Sequence, residues 1–285
     1  MKLAFTTLGC PGWDMDAILA CAREYGYDGV DFRGYLGTMD LYTLPEFKEQ
    51  AHDTAARFAD AGLAVPCFSS SVRIFAKPDA AEAETLAYAR LCQLFRAPFI
   101  RVFAGHFRKI CPESEAVRVA ADTLRRCLPI ARDHGVRLLV ETHDDWMDSV
   151  LVRRLMESVA SPQAGVLWDV HHPYRMLGEE PETTWTALGP WIAYTHVKDS
   201  LPGVNDKGEK DFRYCLTGDG DIPLARILAT LRDGGYDGWL TYEWEKVWHP
   251  DIPEPEQSFP VYVRHIRALL AEESDPSAPA AEPGA

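Results

Sequence analysis

The stretch from Val166 to Tyr174, VLWDVHHPY, begins as an apolar run suited to the inside of a sheet and then sets Asp169, His171 and His172 within four positions. A buried strand that stops on ionisable groups needs something to balance them, because an uncompensated charge in an apolar interior is costly. The same design recurs outward along the chain. Eight short apolar runs start near Leu3 (LAFTT), Gly29 (GVDFR), Leu63 (LAVPCFS), Phe99 (FIRVFA), Arg137 (RLLVET), Gly165 (GVLWDV), Ile192 (IAYTHV) and Gly238 (GWLTYEW), with Ala-rich amphipathic stretches between them. Such alternation argues for a parallel sheet covered by helices. Eight units predict an α/β fold, a single (β/α)8 TIM barrel, over residues 1–271. No GxGxxG follows the first run and no Walker loop occurs, which weakens a nucleotide-binding alternative.

Punctuation between the runs agrees with this division. Pro45 stands where a first helical turn tolerates proline, and Gly26, Gly62, Gly135 and Gly234 follow helical stretches as C-terminal caps do. GYDGV at Gly26 and GYDGW at Gly235 use one turn twice. Residues 272–285, EESDPSAPAAEPGA, are expected to form a disordered C-terminal tail, since proline, alanine and acid give them nothing to pack.

Composition narrows the function. The chain has 285 residues, 47% of them hydrophobic, enough for a large core. Its 29 basic and 43 acidic side chains leave a formal net charge of −14, which repels nucleic acid and anionic membrane surfaces, so neither is an expected partner. Seven scattered cysteines without a CxxC pair read as reduced thiols. The opening MKLAFTTLGCPGWD lacks the apolar segment of a signal peptide, and no run approaches the ~18 residues of a membrane span. A soluble, cytoplasmic protein is expected.

In a barrel of this type the carboxyl ends of the strands share one mouth, where the chemistry sits. Four late runs end on ligand-type residues: Glu141, Asp169, His196 and Glu243. Taken singly, Glu141 has an ordinary reading as a helix cap, Asp169 as a turn residue and His196 as a hydrogen-bonded core histidine. Taken together, carboxylates converging in an apolar cup repel one another unless a cation neutralises them. Three carboxylates and an imidazole suit one divalent ion, Mn2+, Mg2+ or Co2+, with Zn2+ a further candidate.

The motifs VETHD (Glu141), WDVHHP (Asp169, His172), THVKD (His196), TGDGDIP (Thr217 to Pro223) and GWLTYEWEKVWHP (Glu243) occur in an order that resembles the xylose isomerase-like barrel superfamily. That superfamily contains ketose 3-epimerases, inosose dehydratases and hydroxypyruvate isomerases. The resemblance implies that Glu141, Asp169, His196 and Glu243 are metal ligands, with Glu141 and Glu243 also the catalytic acid/base pair. It further implies that His172 touches substrate oxygens, that Arg213 binds substrate from the insertion after His196, and that the barrel associates as a homodimer or homotetramer. A second branch, the apurinic-site endonucleases, carries extra histidines; here the third run ends CFSSS and Asp211 to Arg213 reads DFR. With the net charge, this argues against DNA repair.

The expected activity is isomerisation or epimerisation of a small polyhydroxy carbonyl substrate, a ketose or keto-polyol, by proton transfer through a metal-stabilised enediolate. The alternative is a lyase or dehydratase that eliminates a β-oxygen from a keto-sugar or keto-inositol on the same metal site. A third reading, a sugar-binding barrel without catalysis, requires no metal. Lys198 holds distal substrate oxygens or protonates a leaving group, or else merely pairs with Asp169 or Asp199. Strand alternation selects His172 over His171 to face the mouth, and His143 lines the mouth or bonds the next loop. Trp13, Phe103, Trp146 and above all Trp248, in the proline-stiffened EKVWHPDIPEPEQSFP, are candidates to stack on sugar faces.

Overall fold

The computed structural model describes residues 1–75, 77–205, 207–208 and 210–272. Of the expected tail, residues 273–285 lie outside the described residues; Glu272 closes the last helix.

The eight expected runs form strands β1 (Lys2–Thr6), β2 (Gly29–Asp31), β3 (Cys67–Arg73), β4 (Phe99–Phe103), β5 (Arg137–Glu141), β6 (Ala164–Asp169), β7 (Ile192–Val197) and, after a hairpin, β10 (Trp239–Tyr242). The hairpin is the insertion after His196: β8 (Ser200–Val204) pairs antiparallel with β9 (Lys210–Tyr214). Helices α1 (Met15–Tyr25), α2 (Ala51–Asp60), α3 (Pro78–Phe95), α4 (Glu113–Asp133), α5 (Ser149–Val159), α6 (Pro181–Leu188), α7 (Leu224–Asp233) and α8 (Pro255–Glu272) separate the strands and cover the barrel.

The sheet runs β2-β1-β10-β7-β6-β5-β4-β3, all parallel. Among the described residues its two ends meet through the isolated bridges Gly29–Ala64 and Phe32–Phe68 rather than a continuous ladder, so the eight strands make a nearly closed (β/α)8 TIM barrel. Gly29 is required there: a Cβ would stand 2.7 Å from the Ala64 carbonyl. Among the described residues, no helix is long and apolar enough to cross a membrane.

Three boundary expectations change. Pro45 opens a single 3-10 turn, Pro45–Phe47, and α2 starts six residues later. Gly234 does cap α7 but with helical dihedrals, the left-handed residue being Gly235 (φ 79°), and Gly234 is also needed for space, since a Cβ there would run into the Trp185 ring. The third strand begins at Cys67 rather than Leu63, just past Pro66, which has no N–H to donate to a ladder.

Period-two alternation then builds the site's floor. Cys67, Leu139, Leu167 and Tyr194 form a small buried cluster inside the barrel. Leu139, Leu167 and Tyr194 each stand two residues before Glu141, Asp169 or His196, so these polar groups project inward one layer above the apolar plug. The larger core packs the outward strand faces against the helices.

Candidate metal centre and active-site mouth

Glu141 ends β5, Asp169 ends β6, His196 lies near the end of β7, and Glu243 follows β10, where its amide bonds the Val197 carbonyl. The structure brings these four together. Each offers a ligand atom within 4.8 Å of the others, and all four are buried. His196 Nδ1 is central, 3.1 Å from Glu141 Oε1 and 3.1 Å from Glu243 Oε1.

The chemistry of this donor set fits a divalent cation. Donors that each lie ~2.0–2.2 Å from one ion must lie within about 4.4 Å of one another, close to the spacing here. Glu141 Oε2 and Asp169 Oδ2 are buried, and each faces a cationic side chain, Arg101 Nε at 3.3 Å and Lys198 Nζ at 2.8 Å. Around the mouth Asp31, Glu141, Asp169, Glu243 and Glu245 face three permanent cations, Arg33, Arg101 and Lys198. Burial pulls the His196 pKa down, but Glu243, Asp31 and Glu141 raise it well above an ordinary histidine, so a divalent ion would take the place of its proton in balancing these carboxylates.

Neighbours set the protonation of each group. Burial pushes the Glu141 carboxyl up, but the Arg101 guanidinium, Nε 3.3 Å from Oε2, and His196 outweigh it and hold Glu141 well below the usual range. Burial likewise opposes ionisation of Glu243, yet His196 and Lys198 keep it far below that range. For Asp169 burial prevails over Lys198, and with Glu243 and Glu141 close by its carboxyl is pushed up to about 6. Lys198 is 0% exposed and its Nζ reaches Asp169 Oδ2 (2.8 Å), Glu243 Oε2 (2.5 Å) and Glu245 Oε1 (2.6 Å). Burial pulls its pKa down, but those carboxylates raise it well above an ordinary lysine.

The remaining expected residues fall into two groups. His172 lies beside the cluster, Nδ1 3.3 Å from Asp169 Oδ2 and 3.2 Å from the Thr142 carbonyl; burial, Lys198 and His143 push it down to about 3. His143 packs edge-on to His172 and against Phe103, both at 4.8 Å. Lys198 pairs with Asp169 and not with Asp199, which instead accepts the amides of Gly218 and Gly220 and so anchors the TGDGDIP segment. Arg213 is exposed on β9, on the face of the hairpin opposite Phe212 and Tyr214, and is not brought to the four ligands. Trp248 is 53% exposed on the loop after β10.

Two sequence expectations need correction. The alternation argument for His171 and His172 fails because the strand ends at Asp169 and His172 has helical dihedrals (φ −63°, ψ −51°). Both rings are buried, His171 bonding Ser200 Oγ at 2.9 Å and touching Phe212. Trp13 and Trp146 are core residues, Trp13 packed on Phe5 and Phe259 and Trp146 on Phe107.

Five residues were missed by the sequence reading. Asp31 ends β2 and contacts His196; Arg101 lies in β4, 1% exposed, its guanidinium 3.8 Å from the Phe103 ring; Arg33 is 8% exposed and bonds Ser71. Glu245 and Tyr214 bond each other and surround Lys198. A signal existed for three of them. Asp31 is an acid within the GVDFR run and proves to be the last residue of β2, Arg101 interrupts an apolar strand, and Glu245 follows Glu243 at strand spacing.

A parallel barrel with carboxylates and an imidazole gathered at its strand ends defines an enzyme-like TIM barrel. This chain belongs to the xylose isomerase-like TIM barrel family, whose profile matches residues 19–269. Among curated proteins, fructoselysine 3-epimerase of Escherichia coli O157:H7 is 24% identical over 182 residues, 62% of this chain and 62% of that protein. The alignment thus spans less than two thirds of that relative's length. A probable 3-DHS dehydratase of Bacillus anthracis superposes with a TM-score of 0.75 at 18% identity, covering 95% of this chain and 99% of the other. IOLI protein, solved with a bound zinc atom, gives 0.74 at 17% identity, covering 95% and 97%. Epimerases and dehydratases are both among the relatives.

Proposed function

We propose that the protein is a divalent-metal-dependent isomerase or epimerase of a ketose or keto-polyol, with Glu141 and Glu243 as the proton-transferring pair. The observation that carries this reading is the placement of Glu141 Oε1 and Glu243 Oε1 on His196 Nδ1, each at 3.1 Å. Two carboxylates on separate strands, β5 and the end of β10, can then address two faces of one substrate carbon. A divalent ion held by Glu141, Asp169, His196 and Glu243 supplies Lewis acidity that makes the C–H beside a carbonyl labile.

The chain's own groups do the rest. Glu141 and Glu243 are both held ionised by their cationic neighbours, so either can take the proton, and the partner delivers one to the carbon after first picking it up from solvent. Arg101 holds Glu141 from one side, and Lys198 holds Glu243 from the other. His172, neutral at pH 7, orients a substrate hydroxyl without adding charge. Arg33 and His143, both at the mouth, are placed to bind distal oxygens, as Arg213 and Trp248 do if the hairpin and last loop fold inward on substrate.

A second reading makes the enzyme a dehydratase: Lys198, a fully buried ammonium beside Glu243, would hydrogen-bond a departing β-oxygen, and the glutamate that took the C–H proton would return it to that oxygen. The dehydratase relative supports it. The test is incubation of Mn2+-loaded protein in D2O with fructose, psicose, tagatose and inosose. Epimerisation gives deuterium at the inverted carbon and no ultraviolet enone band; elimination gives the band. If no substrate exchanges a carbon-bound proton, both readings fall.

A further inference from the structure

Asp31 approaches His196 from the side away from Glu141 and Glu243, its Oδ2 3.3 Å from His196 Nε2. We infer that Asp31 is a positioning residue for the metal, taking the Nε2–H of His196 so that the Nδ1 lone pair is aimed at the ion. This rests on the metal-dependent reading above.

A neutral imidazole has one N–H and one lone pair, and its two nitrogens here face different surroundings. Nδ1 looks into the gathered carboxylates Glu141 and Glu243, where an ion between them accounts for a lone pair. Among the described residues, Nε2 bonds Asp31 alone. The tautomer is therefore set by the second contact, the arrangement by which an outer carboxylate orients a metal-ligating histidine.

Asp31 itself is otherwise hard to explain. It is 0% exposed, its Oδ1 has no hydrogen-bond partner, and Oδ2 is met by Ser69 Oγ at 3.0 Å and by His196. Among the described residues no lysine or arginine pairs with it. A buried carboxylate answered only by a hydroxyl and an imidazole is poorly compensated, unless a cation on the far nitrogen polarises the ring. Its placement is also rigid. Thr6 pairs with it across β1, and the backbone on its C-terminal side is tied to β3 by Phe32 N–H to the Cys67 carbonyl and Ser69 N–H to the Phe32 carbonyl.

The alternative is a purely structural bond across the β2–β3 junction, and metal titration separates the two. Mn2+ and Zn2+ binding are measured by calorimetry for the parent, Asp31→Asn and Ser69→Ala. Positioning predicts that Asp31→Asn weakens metal binding about 10–100-fold, the usual effect of losing an outer-shell partner. Ser69→Ala, which removes the structural contact alone, should weaken it less than about tenfold. Parent-like affinity in a folded Asp31→Asn protein, or equal losses in both variants, overturns the inference and leaves the metal site standing. Should the parent bind neither ion, the metal reading falls and this one with it. A second measurement needs no variant. In Zn2+-loaded parent, two-bond proton–nitrogen correlation spectra of the His196 ring should show the proton on Nε2; a proton on Nδ1 overturns the inference.

Discussion

Lys198 and Asp169 form an ion pair that solvent does not reach, Nζ 2.8 Å from Oδ2, with the same ammonium also serving Glu243 and Glu245. One cation thus keeps three carboxylates at tolerable separation, and a neutral side chain in its place strands them all.

For Lys198→Met in the metal-free protein, the expected loss of stability is about 3–5 kcal/mol, the cost of breaking a buried pair from one side. Urea denaturation in the presence of EDTA measures it. Adding Asp169→Asn should return part of the loss, because the two residues are in contact and their effects do not add. Strict additivity would show that the pair is not coupled.

Glu243→Gln keeps the shape of the side chain and removes its charge. As half of the proton-transferring pair it should lower kcat about 10²–10⁴-fold, and deuterium incorporation into substrate should fall with it. A sugar-binding barrel without catalysis predicts unchanged sugar affinity and no exchange in either protein, so calorimetry with the same sugar panel decides between them.

Chelation tests the ion directly. A ligand at a hundred times its Kd stabilises the native state by about 2.7 kcal/mol, which at roughly 2 °C per kcal/mol for a chain of this size raises Tm by about 5 °C. Mn2+ or Zn2+ should produce that shift and EDTA reverse it. Identical melting curves with and without metal would remove the cation from the account.

Gly220→Ala should misplace the TGDGDIP segment, since a Cβ there would stand against Asp199 Oδ1, the atom that also accepts the Ser200 amide. Overpacking of this kind costs about 1–3 kcal/mol. Parent-like Tm in a thermal melt would show that the loop gives way freely.

The barrel was legible because each strand is a compact apolar run, and the four central side chains because they terminate such runs: LLVE, VLWD, AYTH and WLTYE. What stayed hidden depends on pairing across the barrel. Nothing in FIRVFA says that Arg101 will find Glu141, and nothing in EWE says that Glu245 will share a lysine with Glu243, because these partners are joined only when the sheet curls. Asp31 was passed over although it proves to be the last residue of β2, since the reading stayed with the later strands. The two histidines after Asp169 were misjudged for a local reason. The Asp169 carboxylate accepts their own amides, at 2.9 and 3.3 Å, and winds the chain into a helical turn where extended geometry was assumed.

Among the described residues, the junction of β2 and β3 has isolated bridges in place of a continuous ladder. The Ser69 hydroxyl crosses it to Asp31, whose carboxylate reaches His196 in turn. On the proposed metal-dependent reading, cation loading would tighten this stitch in the cylinder wall, and the amide protons of Val30, Phe32 and Ser69, which span it, should become slower to trade with solvent once the ion is in place.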